Sequence, residues 1–394
     1  MYMRTRHLGL DAETLTARGA MDLAREICQQ PDLWQEVWQD VGREQVAIRQ
    51  FLHRAMARRG RIILTGAGTS AFIGKSLAAV FQRGMGMPVE AVSTTDLVSH
   101  PRDHLNNDLP LLMVSFARSG NSPESLAAVS MADELCKADC YHLIITCNAQ
   151  GELAKWGRVN VHNSFVFALP DRANDRSLAM TSSYTGMMVA GILVARLSHL
   201  EENGSMVDII SSYARKAIDY YYDDLRAIAE KDFKRAVFLG SGPLMGTATE
   251  AHLKLQELTD GRVICTPDSF LGFRHGPKAV VDEATLMVYL FSNQAYVLKY
   301  EKDLVQSMSK GRPPLMEIGL MESRIEGIDL HYSFPFSENG SNITEEFLAV
   351  CSVVPAQILA FFKSLQLGLR PDTPSETGAI SRVVEGVQIY GLQD

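Results

Sequence analysis

Short apolar runs alternate along this chain with longer segments whose apolar positions recur at helical spacing. Ile62-Ile63-Leu64 and Leu111–Val114 are runs of the first kind, and each breaks into glycine and small hydroxyl residues before a helical segment begins. Such a pattern reads as buried parallel strands feeding helices. Upstream, Thr14–Gln29 has helical spacing and Pro31 ends it. A second helix is expected from Asp32 to about Arg58, burying Trp34, Val37, Trp38, Val41 and Ile48.

The pattern repeats. Arg61–Phe81 reads as strand, glycine turn and helix, and Arg235–Leu255 has the same form at an offset of 174 residues, setting Gly66 on Gly240 and Gly68 on Gly242. The same offset carries Pro88–Val92 onto Arg262–Thr266 and Leu112–Val114 onto Leu286–Val288. Three strand segments in register without a gap predict two copies of one α/β unit, each a parallel sheet flanked by helices with right-handed crossovers. The expected division is an N-terminal helical segment over 1–44, a first domain over 45–215 and a second over 216–394. The linker is expected near Glu201–Ser205 or in the helical stretch after it, and a final helix from about Thr344 to Leu367.

Ligands of such sheets sit at the carboxyl ends of the strands, so the loops there carry the candidate chemistry. Leu111–Ala117 runs into Arg118, Ser119, Gly120, Asn121 and Ser122, and Pro123 and Glu124 open a helix. Hydroxyls and backbone N–H groups at a helix N-terminus suit phosphate. Gly68, Thr69 and Ser70 follow the first strand in a GxGxxA turn. With Glu90 on the next strand that turn also fits a dinucleotide fold, which does not require the serine-rich loop. Ser182, Ser183 and Thr185 form a third hydroxyl cluster, each also readable as a helix cap. Arg176, just upstream, is either a charge partner for phosphate or an exposed loop arginine.

The second copy differs. Ser115, Ser119 and Ser122 correspond to Tyr289, Asn293 and Tyr296, so only the N-terminal half keeps a phosphate cradle. It carries instead Glu250, Lys254 and Glu257, which share one helix face of about 60°. Either they form a solvated salt bridge worth ~0.3–0.5 kcal/mol, or a carboxylate base is held by a lysine. His275, in the loop Phe273–Lys278 after the second strand of this half, is a candidate acid/base.

A net charge of −8 argues against nucleic-acid and anionic-membrane partners, leaving an anionic small molecule to be held by local dipoles and a few cations. The longest apolar run, Met187–Ala195, is too short to span a bilayer. The N-terminal MYMRTRHLGL lacks the apolar core of a signal peptide, so a cytoplasmic location is expected. Six cysteines stand without CxxC or Cys/His metal spacing, so they read as reduced core thiols and no metal site is expected.

At these residues the chain resembles the sugar isomerase (SIS) family in its double-domain form. Ala117-Arg118-Ser119-Gly120-Asn121-Ser122 is similar to the SxSGxT phosphate loop of the isomerase half of glucosamine-6-phosphate synthase. Gly68-Thr69-Ser70 resembles its GTS turn, Thr181-Ser182-Ser183 its AST segment and Lys254-Leu255-Gln256-Glu257 its KLKE helix. Arg274-His275-Gly276-Pro277 resembles its KHGP loop, with Arg274 in place of a lysine. The resemblance covers about residues 45–390 and implies two tandem SIS domains, each a flavodoxin-like α/β/α sandwich.

By that resemblance Glu257 moves a proton between C1 and C2 of a sugar phosphate, His275 assists ring opening and Lys254 positions Glu257. Gly68, Thr69, Ser70, Arg118, Ser119, Ser122, Ser182, Ser183 and Arg176 hold the substrate. No cofactor and no metal is implied. His275 comes from a neighbouring subunit, which makes a homodimer the minimum unit, with a tetramer left open.

Ala117 and Tyr184 depart from the family pattern, standing where a serine and a lysine are usual. The last lysine is Lys363, so an imine from a C-terminal lysine is not expected, and no amidotransferase domain precedes the repeat to make ammonia from glutamine. Thr16–Trp34 and the tail Pro374–Gly391 are closer to the AgaS subgroup. This implies a D-galactosamine-6-phosphate deaminase/isomerase, with a plain ketose/aldose isomerase and a sugar-phosphate sensor as the rival readings. Galacto against gluco preference at C4 stays open, as does any role of Arg382 and Glu385 in the tail.

Overall fold

The computed structural model describes residues 6–106, 108–340, 342–383 and 386–392; Glu385 lies outside them. The chain forms two compact units. One comprises Met1–Asp32, Asp175–Thr181 and Met206–Ala379, the other Leu33–Asn174, Ser182–Ser205 and Ile380–Asp394. Each contains one five-stranded parallel sheet.

The first sheet consists of β1 (Arg61–Thr65), β2 (Val89–Ala91), β3 (Leu111–Ala117), β4 (Cys140–Thr146) and β5 (Ser164–Ala168), in the order β2-β1-β3-β4-β5. The second consists of β6 (Arg235–Leu239), β7 (Ile264–Asp268), β8 (Thr285–Leu290), β9 (Met316–Met321) and β10 (Tyr332–Pro335), in the order β7-β6-β8-β9-β10. The two orders are the same. Even the register agrees: Leu64 pairs with Val114 in one sheet, and Phe238 pairs with Val288 in the other, each partner shifted by the sequence offset. The agreement is confined to this central pair: Ile62 pairs with Val89 but Ala236 with Cys265, two residues beyond the offset, and β9 and β10 start at Met316 and Tyr332 rather than at the offset positions of β4 and β5. In both sheets the strand order reverses beside the first strand, which opens a crevice at the carboxyl edge.

Ten helices position the sites: α1 (Met21–Ala55), α2 (Thr69–Met85), α3 (Pro123–Cys136), α4 (Glu152–Val159), α5 (Ser182–Ala195), α6 (Leu200–Tyr220), α7 (Tyr222–Ala229), α8 (Pro243–Leu258), α9 (Ala295–Ser307) and α10 (Glu345–Gln366). One expectation needs correction. Pro31 does not end a helix; it lies inside α1. Proline offers no N–H to the Ile27 carbonyl, but the Gln30 side-chain amide donates to that oxygen at 3.0 Å, and the Pro31 carbonyl accepts from Ser211 Oγ at 3.0 Å. The break falls earlier instead, at Gly19 (φ 58°), after a short helix over Ala12–Ala17. Glu201–Ser205 form the first turns of α6, and the division between the two units falls just after Ser205.

In the first-sheet unit α5 is apolar on every side and buried throughout, as a helix enclosed in a core must be. It lies along α2. A Cβ on Gly84 would overlap the Ala195 carbonyl, and one on Gly191 would stand 2.6 Å from Leu77. Residues near the end of α2 therefore meet the end of α5, and residues at its middle meet the middle of α5. The two helices run parallel, and their N-termini share one end. In the second-sheet unit α10 is long and apolar enough to cross a membrane, but its apolar stretch is wholly buried and packs on α7 and α8.

The glycine contact between α2 and α5 has a measurable value. Gly84→Ala is expected to lower stability by about 1–3 kcal/mol, the usual cost of overpacking, seen as a lower urea midpoint. An unchanged midpoint would mean that the helices can separate freely.

Candidate active site

Three segments meet at the carboxyl edge of the first sheet. Gly66, after β1, passes so close to α2 that a Cβ would stand 2.7 Å from Ser70 Cβ and 2.9 Å from the Phe116 carbonyl. Gly68 then takes φ 53°, a left-handed value that glycine adopts without strain, and no side chain caps the helix that starts at Thr69. Thr69 and Ser70 are buried.

The loop after β3 is clamped by its neighbour. Asn148 Nδ2 donates to the Ser119 carbonyl at 2.9 Å, Leu153 N to the Gly120 carbonyl at 2.9 Å, and Glu152 N to Asn121 Oδ1 at 3.0 Å. Ser122 caps α3, accepting from Ser125 N at 3.3 Å, and its hydroxyl pairs with that of Ser125 at 2.7 Å. Arg118 donates to the Arg382 carbonyl of the tail, and Arg382 reaches Asn174 Oδ1 at 2.7 Å.

Ser182 and Ser183 open α5 and are fully buried. Cys147, the residue after β4, lies with its Sγ 4.0 Å from the Ser183 carbonyl, so the start of α5 also stands at the carboxyl edge. The parallel packing of α2 and α5 brings it beside Thr69 and Ser70. Gly68, Thr69, Ser70, Arg118, Ser119, Ser122, Ser182 and Ser183 thus gather at one edge. Thr185 serves packing: its hydroxyl accepts from Trp34 Nε1 at 3.0 Å.

Arg176 belongs to the other unit and is exposed; its backbone N–H donates to Glu26 Oε1 at 2.5 Å. Burial, and then the Asp175 carboxylate, push the Glu26 carboxyl up to about 8, against its hydrogen bonds from Ser177 and Arg176.

In the second-sheet unit Lys254 Nζ stands 2.6 Å from Glu257 Oε2 and 3.3 Å from Glu250 Oε1 on α8. This is no solvated surface bridge, since Lys254 is 1% exposed and Glu250 0%. Glu257 alone of the three keeps an accessible side chain, 22% exposed. A buried ammonium between two carboxylates holds the outer one in place, and removing one partner of such a set is strongly destabilising. The arrangement presents one fixed carboxylate at the surface of an otherwise closed ion cluster.

His275 ends a short turn after β7 and is exposed. Gly276 follows it at φ 131°, a value that favours glycine. Gln256, next to Glu257, accepts from Cys265 N near the start of β7 at 3.3 Å. His275 lies beyond the far end of that strand. It lies on the segment that leads from there back to the amino edge, where the Val280 carbonyl accepts from Arg235 Nη1 at 3.2 Å. Lys363 is committed elsewhere. Its Nζ donates to the Ala229 and Lys231 carbonyls at 3.1 and 2.8 Å, and burial pushes it down to about 8.

At the second sheet's carboxyl edge the chain's own carboxylates occupy the place of a bound anion. Glu345, opening α10, accepts from Ser292 Oγ and, at 2.9 Å, from Gln294 Nε2, and would stand 3.4 Å from a Cβ on Gly242. Glu301 accepts from Ser292 N at 2.9 Å. Neither acid was singled out in the sequence, because each reaches the edge from a distant helix.

Residues 55–196 match the SIS domain. Over 388 residues the chain is 41% identical to D-galactosamine-6-phosphate deaminase AgaS of Shewanella sp. (strain ANA-3), covering 98% of this chain and 95% of that one. It is 38% identical over 372 residues to D-galactosamine-6-phosphate deaminase AgaS of Escherichia coli, covering 93% and 95%. The solved structure of tagatose-6-phosphate ketose/aldose isomerase from Escherichia coli superposes with a TM-score of 0.86 at 34% identity, over 95% of this chain and 97% of that one.

The buried acids also give a pH signature. Burial first, with a lesser push from Glu345, raises the Glu301 carboxyl from 4.5 to about 7. The folded chain therefore holds this proton more tightly than the unfolded one. Stability is lost as pH rises from about 4.5 through about 7, and the loss is complete above that. Glu301→Gln should flatten this decline in melting temperature between pH 5 and 8; an unchanged slope would rule out Glu301 as its source.

Proposed function

Because the chain belongs to the AgaS group of double-SIS-domain sugar isomerases, we propose that it converts D-galactosamine 6-phosphate and water to D-tagatose 6-phosphate and ammonia. The observation that carries this reading is the buried Glu250–Lys254–Glu257 cluster with its one accessible carboxylate. A sensor that only binds has no use for such a base. The hydroxyls of Thr69, Ser70, Ser119, Ser122, Ser182 and Ser183, with three helix N-termini, suit the dianionic phosphate.

The phosphate anchors the substrate, and its binding energy orients the reacting carbons. His275 moves the hemiacetal proton from the C1 hydroxyl to the ring oxygen, opening the ring. Glu257 takes the proton from C2, giving an enolamine, which is reprotonated at C1 to leave an imine at C2. Water adds there and ammonia departs, so the carbon skeleton is unchanged and one water is consumed.

The resemblance to the isomerase half of glucosamine-6-phosphate synthase favours a site completed by His275 of a second copy, hence at least a homodimer. A sugar-phosphate substrate fits a cytoplasmic enzyme.

Two measurements test the proposal. Glu257→Gln should lower turnover by about 10²–10⁴-fold while leaving sugar-phosphate affinity within a few fold. Ammonia should appear from galactosamine 6-phosphate and not from glucosamine 6-phosphate. Interconversion of neutral sugar phosphates without ammonia would instead establish a plain ketose/aldose isomerase. Separately, chains carrying Glu257→Gln and chains carrying His275→Ala, each inactive alone, should regain partial activity when co-expressed. No recovery in verified mixed oligomers would place both groups in one chain's site.

A further inference from the structure

A second cluster of reactive side chains lies at the amino edge of the first sheet, away from the hydroxyl cradle. Asp133 and Cys136 share one face of the last turns of α3, and Cys140 and His142 share one face at the start of β4. The topology folds the two faces together. Donor atoms of Asp133, Cys140 and His142 lie within 4.8 Å of one another. His142 Nε2 is 2.9 Å from Asp133 Oδ1 and 3.3 Å from Cys140 Sγ, and the Cys136 and Cys140 thiols are hydrogen-bonded. His142 and Cys140 are 0% exposed and Cys136 1%, whereas the Asp133 side chain is 35% exposed and gives access from solvent.

We propose that Asp133, Cys136, Cys140 and His142 form a structural zinc site. Two thiols, one imidazole and one carboxylate make a four-donor set for a borderline-soft tetrahedral ion, whereas calcium and magnesium select oxygen. Bonds of about 2.0–2.3 Å separate tetrahedral donors by roughly 3.3–3.8 Å, near the spacing of His142 to Asp133 and Cys140, and Cys136, outside that close set of three, swings inward to complete it. Asn163 Nδ2 supports it from outside, donating to Asp133 Oδ1 and to the Cys140 carbonyl, both at 3.2 Å.

Four protein donors leave no open position, so the ion is structural rather than catalytic. It ties the end of α3 to β4 across Lys137–Asp139, where Lys137 takes the left-handed φ of 55° that a non-glycine residue adopts only under constraint. The helix it pins is the one whose other end carries Ser122. On binding, each thiol gives up its proton to solvent, so two protons leave as two metal–sulfur bonds form, and affinity falls at acid pH.

The test uses the full-length protein, stripped of metal by a chelator under reducing conditions. It is then titrated with Zn²⁺ against a chromophoric chelator and, separately, with Co²⁺. The expected result is one zinc per chain, held at about 10⁻⁷ M or tighter. The cobalt form should show thiolate charge-transfer and tetrahedral d–d absorption. Cys140→Ser and His142→Gln should each weaken zinc by at least about 100-fold. Should both misfold, Asp133→Asn, at the accessible donor, must still weaken zinc and change the cobalt spectrum. The proposal is overturned if the folded wild type holds no zinc at micromolar concentration, leaving a hydrogen-bonded cluster only. It is overturned equally if folded variants bind as tightly as wild type.

Discussion

Gly66 and Gly240 each lie where a strand ends and the chain doubles back against the first turn of the next helix, with no room for a Cβ. That steric constraint holds the helix start against the strand end, and the rest of the architecture depends on it. Gly68 and Gly242 follow with φ of 53° and 55° and ψ of −127° and −129°, so the turn is built alike in both units. Because the strands are parallel, every such turn delivers a helix N-terminus to the carboxyl edge. A ring of partial positive charge gathers there before any particular side chain is considered.

The two copies neutralise that field differently. In the first sheet small hydroxyl residues leave space for an anion from outside. In the second, Tyr289 fills the core beside Phe270 and Phe291, and Glu345 and Glu301 bring the negative charge from within the chain. Freed from phosphate binding, the second unit carries its chemistry at the opposite end of the repeated helix, where Glu257 is held by Lys254.

A helix that starts at the carboxyl edge ends at the amino edge, and so does the carboxylate near its end. The segment after β7 runs from the carboxyl edge back to the amino edge, where the Val280 carbonyl accepts from Arg235 Nη1, and His275 lies on that path.

By itself the sequence determined the repeat, most of the strands, the helix starts and the groups clustered beside them. These features rest on local rules: apolar runs, glycine turns and hydroxyl residues at helix N-termini, all readable within a few positions. Tertiary structure decided whatever depends on partners far along the chain. Pro31 stays helical because of the amide beside it and the packing of α1 against Ser211 of α6. The Glu–Lys pairs on α8 look like surface bridges in sequence, and only tertiary packing, in which α10, β6 and β7 lie against that helix, takes Glu250 and Lys254 out of water. Glu301 and Glu345, and the meeting of Asp133 with His142, are likewise set by which elements pack together. Periodicity records which face of an element is apolar, but it carries no record of what that face will meet.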